Sequence, residues 1–565
     1  MKIMLTALNA KYIHSNLALY DLMAYALPFR EHIILKEFTI NQPQDELLQD
    51  IFKEKPDVIC FSCYLWNIDE ILSLSEDIHI ILPDTDIWYG GPEVSYHPET
   101  MMKKASFLKG IMVGEGEKTF YDLCNYYVNH PSTSSLHTIK SIVFRDGNTF
   151  LSTPLREPFD LDKLPFCYEA LPELSMEHRI IYYESSRGCP FNCSYCLSSI
   201  DKKVRYRSLD LVFHDLQFFV DHKVPQVKFV DRTFNCDHKR TLALWTWMKE
   251  HDNGITNFHC EIAGELLNEE ELKLLNTLRP GLVQLEIGVQ TTNEETLKEI
   301  HRPSDYVNLK AITDRILQSH NVHRHLDLIA GLPYEDFASF RRSYNMVYAM
   351  APDQLQLGFL KILKGSYMEL HQKEYELVAK SHAPFEVLKT KWLSYEDVLE
   401  LKKVEEMTEV YYNSGQFTMT LPYLLAQAET PFDFFWNLGK FYEEKGYDRI
   451  SHNRIRRYEI LREFAGPSKE LDERITYDLY LRENLKKRTD WMQDTSSLKK
   501  IFWEIRQELA IQKNSLTHLE YFETLSDQPE IILFDYRSRD PLDHNALITK
   551  INHETVSLSD IPARR

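Results

Sequence analysis

The chain has 565 residues, 43% of them apolar, with 65 Lys and Arg against 85 Asp and Glu and a net charge of −20. That length accommodates about three or four domains, and so acidic a chain is not built for broad electrostatic docking on nucleic acid. No run reaches roughly 18 uninterrupted apolar residues, so no membrane span is expected. The nine cysteines are scattered apart from one tight trio, which fits a reducing cytoplasm and ligand duty rather than a disulfide frame.

Residues 1–140 read as one α/β domain. Short apolar runs at 2–8, 32–38, 57–63, 87–90 and 110–113 alternate with stretches of helical spacing such as 16–27 and 45–53. The first run reads as a strand, not as a signal peptide. This alternation predicts a parallel sheet covered on both faces, and such sheets bind ligands beyond the carboxyl ends of their strands. Those ends carry Asn9, then Tyr64, Leu65 and Trp66, then Gly90 and Gly91, then Gly114 and Glu115.

The runs "LNAKYIHSNLALY", "PDVICFSCYLWN", "YGGPEVSY" and "MVGEGEKTF" closely resemble the cobalamin-binding domain that precedes the core of one large radical S-adenosylmethionine (SAM) family. The resemblance implies a flavodoxin-like (Rossmann-type) fold with the corrin on the residues just named. Tyr64, Leu65 and Trp66 would form an apolar shelf, and Gly90 and Gly91 would let the nucleotide tail pass. One departure stands out. The Asp-x-His-x-x-Gly motif whose His meets cobalt in better-known cobalamin domains is absent. The other reading of this segment is a flavodoxin-like domain that has lost its cofactor.

Residues 141–179 read as a hairpin around Asp146-Gly147 followed by a Pro-containing linker.

Residues 180–365 carry the chemistry. A strand at 180–185 runs directly into Cys189, Cys193 and Cys196, spaced Cys-x-x-x-Cys-x-x-Cys. Three thiolates bind three irons of a [4Fe-4S] cubane and leave the fourth iron open, here to the amino and carboxylate groups of SAM. A structural zinc site would want four ligands, usually in separated pairs. Further strands at 226–230, 257–262, 282–287, 323–328 and 354–360 predict a partial (β/α)6 barrel, with chemistry at the carboxyl ends.

"FHCEIAGELL", "VQLEIGVQTTNEETLKEIHRP" and "HLDLIAGLPYED" look like the SAM-contacting strands of the branch that includes oxygen-independent coproporphyrinogen oxidases and methylthiotransferases. By that resemblance Gln290 and Asp327 hold the ribose, Arg302 and Glu261 hold the methionine end, and Tyr195 contacts adenine. The alternative is that Arg302 only pairs with a carboxylate and Asp327 only caps a turn. Glu286, Asp231 and Arg232 are weaker candidates; Cys236 and Cys260 lack ligand spacing.

Residues 366–565 read as mostly helical, with a helix from Ser394 to Gly415, a basic helix in "NRIRRYEILREF", a strand at 531–536 and a flexible end. The whole chain resembles a bacterial group of cobalamin-binding-domain radical SAM proteins with a C-terminal domain of unknown function. That resemblance implies a cobalamin-dependent radical SAM enzyme, methylating an unactivated carbon of a small molecule and fed by a flavodoxin or ferredoxin. The alternatives are a radical cyclase or rearrangement enzyme similar to the anaerobic magnesium-protoporphyrin ester cyclase, or a non-catalytic cobalamin or redox sensor.

Overall fold

The computed structural model describes residues 1–129, 135–509 and 516–551. It forms two compact units: Met1–Phe340 with Gly358–Val398, and Arg341–Leu357 with the chain from Leu399 onward.

The first unit begins with a seven-stranded sheet. Strands β1 (Ile3–Asn9), β2 (Ile33–Thr39), β3 (Val58–Ser62), β4 (Asp86–Gly90) and β5 (Leu108–Met112) are parallel and lie in the order β2-β1-β3-β4-β5. Every residue of β1 and β3 is buried, as a strand sandwiched between two helical layers requires. The strand order reverses direction at β1 and β3, which makes their carboxyl ends the natural crevice. The hairpin β6 (Ile142–Asp146) and β7 (Thr149–Ser152) does not stand apart as a connector. It pairs antiparallel with β5 and extends the sheet.

The same unit continues with β8 (Ile181–Tyr183) and a two-stranded ribbon of β9 (Ser186–Arg187) and β10 (Arg205–Tyr206). Then come β11 (Gln226–Phe229), β12 (Asn257–Ile262), β13 (Val283–Gln290), β14 (His323–Ala330) and β15 (Gln354–Phe359), whose first four residues fall in the second unit. These make a six-stranded sheet in the order β15-β14-β13-β12-β11-β8. β13 and β14 run on to Gln290 and Ala330, past the expected ends, because their pairing continues through a bulge at Gly288 and Gln290. The intervening helices are set by local signals; Asn268 and Glu271, for example, form a reciprocal capping box. A short ribbon, β16 (Val378–Ala379) and β17 (Val387–Lys389), follows.

The second unit is mostly helical, as expected, but carries more strand than the one the sequence suggested. The helix Tyr395–Met407, capped by Ser394, gives way to a π-helical turn at Thr408–Asn413. There Asn413 pairs by its side-chain amide with both backbone groups of Leu355. The expected strand is β19 (Glu530–Arg539), and it lies between β18 (Thr517–Phe522) and β20 (Ala546–Ile551) in an antiparallel sheet. The expected flexible end is thus a strand as far as Ile551, and its remainder lies outside the described residues. Three of the four arginines of the basic helix Arg454–Ala465 are in ion pairs, Arg454 with Glu483, Arg456 with Glu459 and Arg462 with Asp472, and Arg457 donates to the Gln416 side chain.

Candidate active site

The cysteine loop leaves β9 through Gly188, whose φ is +97°; a Cβ there would lie 2.6 Å from the Lys203 carbonyl oxygen. The loop is pinned by backbone bonds, Cys189 N–H to Asp201 O at 3.1 Å and Ser194 N–H to Ile300 O at 3.0 Å. Cys189 and Cys193 are buried, Cys196 is half-buried, and all three are free thiols. Thr233 Oγ1 lies 3.4 Å from Cys189 Sγ, and burial pushes the Cys189 thiol up, so holding a thiolate there calls for a cation.

Beside the thiols opens a cavity of about 100 Å³ lined by the three cysteines, Tyr195, Arg232, Glu261, Gly288, Gln290 and Arg302. Arg302 reaches in from the turn after the helix Glu294–Glu299. It donates to Cys193 Sγ at 3.7 Å and to the Gly288 carbonyl, and its Nε is buried without an acceptor. Gln290 ends β13 with φ +69°, a left-handed conformation that turns its side chain along the cavity; its Oε1 is buried and unpartnered. A Cβ on Gly288 would run into that amide. Burial, reinforced by Glu286 and Asp327 and opposed by Arg232, pushes the Glu261 carboxyl up to about 7. Tyr195 is half-buried, and burial pushes its phenol up as well.

Asp327 stands on β14 beside this cavity, 3.0 Å from His325 Nε2, with Oδ1 buried and outside any hydrogen bond. Glu286 lies deeper in the sheet, paired with Lys228 at 2.8 Å and with His259 at 2.9 Å. Asp231 does not face a ligand. It accepts from Ser185 N–H, Ser185 Oγ and Ser186 Oγ and so ties β8 and β9 to the strand beside them. Cys236 sits 3.2 Å from the Tyr206 hydroxyl, and Cys260 is buried.

The carboxyl edge of the first sheet is less uniform than its sequence suggested. Tyr64 and Trp66 stack at 4.4 Å with Leu65 between them, all half-buried, and form a flat step. Asn9 is spent internally: its amide donates to His14 O and Glu37 and accepts from Asn16. Gly91, φ +101°, is demanded by the chain itself, since a Cβ would sit 2.6 Å from Cys63 O. Gly90 packs on Met112, and Glu115 is held by Arg205, Arg187 and the Phe159 N–H. Gly114 alone of these glycines is exposed with nothing near its missing Cβ.

Sequence reasoning missed the links that join this edge to the cysteine loop and to the segment after β15: Arg187 with Glu117, Lys364 with Glu93, and His97 with Glu369 at 2.9 Å. It also missed Lys228, His259 and His325, though their alternation with apolar neighbours was visible.

The fold and the thiol-lined cavity define a radical SAM protein, and the comparisons agree. Residues 5–124 match the B12 binding domain family, residues 183–347 the radical SAM superfamily, and residues 373–536 a family of unknown function, DUF4080. The chain thus carries, in order, a B12 binding domain, a radical SAM core and a DUF4080 domain. The cofactors of these domains are a [4Fe-4S] cluster, SAM and cobalamin, and the radical SAM domain calls for an external electron donor.

Among relatives, the cobalamin-dependent radical SAM methyltransferase TokK of Streptomyces tokunonensis is 22% identical over 56% of this chain and 48% of that protein. The anaerobic magnesium-protoporphyrin IX monomethyl ester cyclase of Rubrivivax gelatinosus is 21% identical over 58% of this chain and 60% of that protein. The chain spans about half the length of the first curated relatives it matches. In fold it resembles the cobalamin-dependent SAM radical enzyme OxsB, solved with aqua-cobalamin and SAM, with a TM-score of 0.56, 14% identity, and coverage of 90% of this chain and 75% of that one. No helix among the described residues is long and apolar enough to cross a membrane.

Proposed function

We propose that the chain is a cobalamin-dependent radical SAM methyltransferase acting at an unactivated carbon of a small molecule. The observation that carries the reading is the convergence on one cavity of three free thiols with the unpartnered Gln290 Oε1 and Arg302 Nε. Buried polar atoms left without partners cost about 1–3 kcal/mol each and so mark where a polar ligand belongs.

Cys189, Cys193 and Cys196 hold the cluster. Arg302 takes the SAM carboxylate with its guanidinium fork, and Glu261 takes the amino group when ionised. Gln290 and Asp327 accept from the ribose hydroxyls, and Tyr195 closes over the adenine. The step of Tyr64, Leu65 and Trp66 would bear the corrin, and exposed Gly114 would let the ligand pass close to backbone. When bound, the cluster supplies the electron that splits SAM into methionine and a 5′-deoxyadenosyl radical, and cobalamin supplies a cobalt able to carry methyl. The chain's own work is to orient SAM and to keep water from the cavity. A flavodoxin or ferredoxin delivers the electron. Nucleic acid is not the substrate, in keeping with the paired arginines of the second unit. Nine free cysteines support a cytoplasmic, reducing home.

The test is anaerobic reconstitution with reductant and methyl-labelled SAM. The expected products are 5′-deoxyadenosine and a labelled small molecule absent from cells lacking the gene. A product formed without label transfer would favour the cyclase reading, which the relative from Rubrivivax supports. No 5′-deoxyadenosine with any reductant would favour the sensor.

A further inference from the structure

Barrels that only need to be stable fill their interior with branched aliphatic side chains. The sheet of β8 and β11 to β14 does the opposite. Its outward residues, such as Val227, Phe258, Leu285 and Leu326, are buried under the helices. Its inward residues are Tyr182, Lys228, His259, Glu286 and His325. Strand register sets them side by side: Lys228 opposite Tyr182 on one side and His259 on the other, and Glu286 opposite His325. They form a two-layer belt across the sheet: Tyr182, Lys228 and His259 share one layer, and Glu286 and His325 share the next, where Glu286 also stands opposite Glu261, with Asp327 one layer further on.

The belt is charged but not closed. Lys228 Nζ meets Glu286 Oε2 at 2.8 Å, and His259 Nε2 lies 2.9 Å from the same oxygen without forming a hydrogen bond. Lys228 thus spends one of its three donors. It keeps 30% of its side-chain surface and Glu286 keeps 19%, so neither is sealed by its neighbours. Burial lowers the His259 pKa against the pull of Glu286. Burial also works against charge on His325, but Asp327 outweighs it and raises the His325 pKa. A buried ion pair adds little to stability over a packed apolar core, so stability does not explain why these positions are polar.

We propose that this belt is the substrate pocket of the site described above, and that it selects a compact, water-soluble zwitterion. The substrate's anionic group takes the free donors of Lys228, with His259 beside it, and its ammonium group takes Glu286. The internal Lys228–Glu286 pair is exchanged for two pairs with the ligand, and no uncompensated charge is buried. A sterol-like lipid or a tetrapyrrole would leave Lys228 and Glu286 desolvated and unserved. The proposal rests on the radical SAM reading, because it places the substrate directly beneath SAM.

The test uses the reconstituted full-length protein loaded with SAM. It is dialysed to equilibrium against the small-molecule fraction of an aqueous extract of its source cells, and separately against their detergent-dispersed lipid extract; retained compounds are identified by mass spectrometry. We expect a zwitterion other than SAM and its fragments to be retained about ten-fold or more over bulk by the wild type. Lys228→Met and Glu286→Gln should lose that retention, and Lys228→Arg should keep much of it, which separates loss of charge from loss of fold. Retention of an uncharged or lipid-soluble compound instead, retention of nothing, or equal retention by wild type, Lys228→Met and Glu286→Gln overturns the proposal. A wild type that fails to bind SAM overturns the reading beneath it.

Discussion

The carboxylate of Asp327 is held by His325, two residues earlier on the same strand, with Oδ1 3.0 Å from Nε2. Because side chains on a strand alternate, both residues face inward, and the imidazole steadies the carboxylate from below. Asp327→Asn removes a charged acceptor and should weaken SAM binding by roughly 1.5–3 kcal/mol. His325→Gln leaves the acceptor but loosens it, and should cost less. Isothermal titration of SAM into anaerobic protein checks both; equal affinities for wild type and Asp327→Asn would take Asp327 out of the site.

The iron should depend on the trio alone. Anaerobically reconstituted protein is expected to carry about four irons per chain. Cys193→Ala should lose the visible absorbance of the cubane, and Cys236→Ala should keep it, since Cys236 is engaged with Tyr206. Stoichiometric zinc in place of iron would refute the assignment.

Glu261 gives the site a pH dependence. Its carboxyl is raised from 4.5 to about 7, chiefly by burial. A carboxyl raised in the fold favours the neutral form, so its contribution to stability is whole below the unfolded value and is lost as pH rises through about 7. The loss amounts to roughly 3 kcal/mol. Glu261→Gln should therefore be more stable than wild type at pH 8 and nearly equal to it at pH 4 when SAM is absent. Urea midpoints at the two pH values measure this. SAM binding should weaken as pH falls below about 7 in the wild type and show no such slope in the variant.

Two glycines separate fold from uptake at the cobalamin edge. Gly91→Leu drives a side chain into Cys63 O and should disturb the loop itself, lowering stability together with cobalamin binding. Gly114→Leu meets no neighbouring atom. It should cost about 1–2 kcal/mol for its positive φ yet block cobalamin where the ligand would pass. Thermal melts paired with hydroxocobalamin titration distinguish the two. Unimpaired uptake by Gly114→Leu would move the corrin elsewhere.

Much of this was legible in the chain. The cysteine spacing announced the thiol cluster, and short apolar runs separated by helical periods announced both sheets, because burial on two faces leaves a dense apolar signature. The tail was harder: β18 is buried nearly throughout and β20 is exposed between two buried ends, so neither edge strand shows the two-residue alternation that marks a strand. Local pattern could not tell that Asn9 and Glu115 are bound by side chains dozens of residues away, nor that Gly91 answers to Cys63. The inward belt was visible as Lys228 on β11, His259 on β12 and the His325–Asp327 pair on β14, but polar alternation says which face is shared and not what occupies it.

His14 forms a parallel bridge with Ile180 at the start of β8, and its Nδ1 lies 2.8 Å from the Tyr182 hydroxyl. Residues from the beginning of the chain thus serve as an extra stave beside the first strand of the barrel. Cutting the gene at the end of the first sheet would leave that flank of β8 bare, so the barrel expressed alone should be poorly soluble. Chimaeras between relatives should work only when the loop after β1 and β8 come from the same parent. The unit of exchange here is an interlaced pair of segments, far apart in the gene and inherited together.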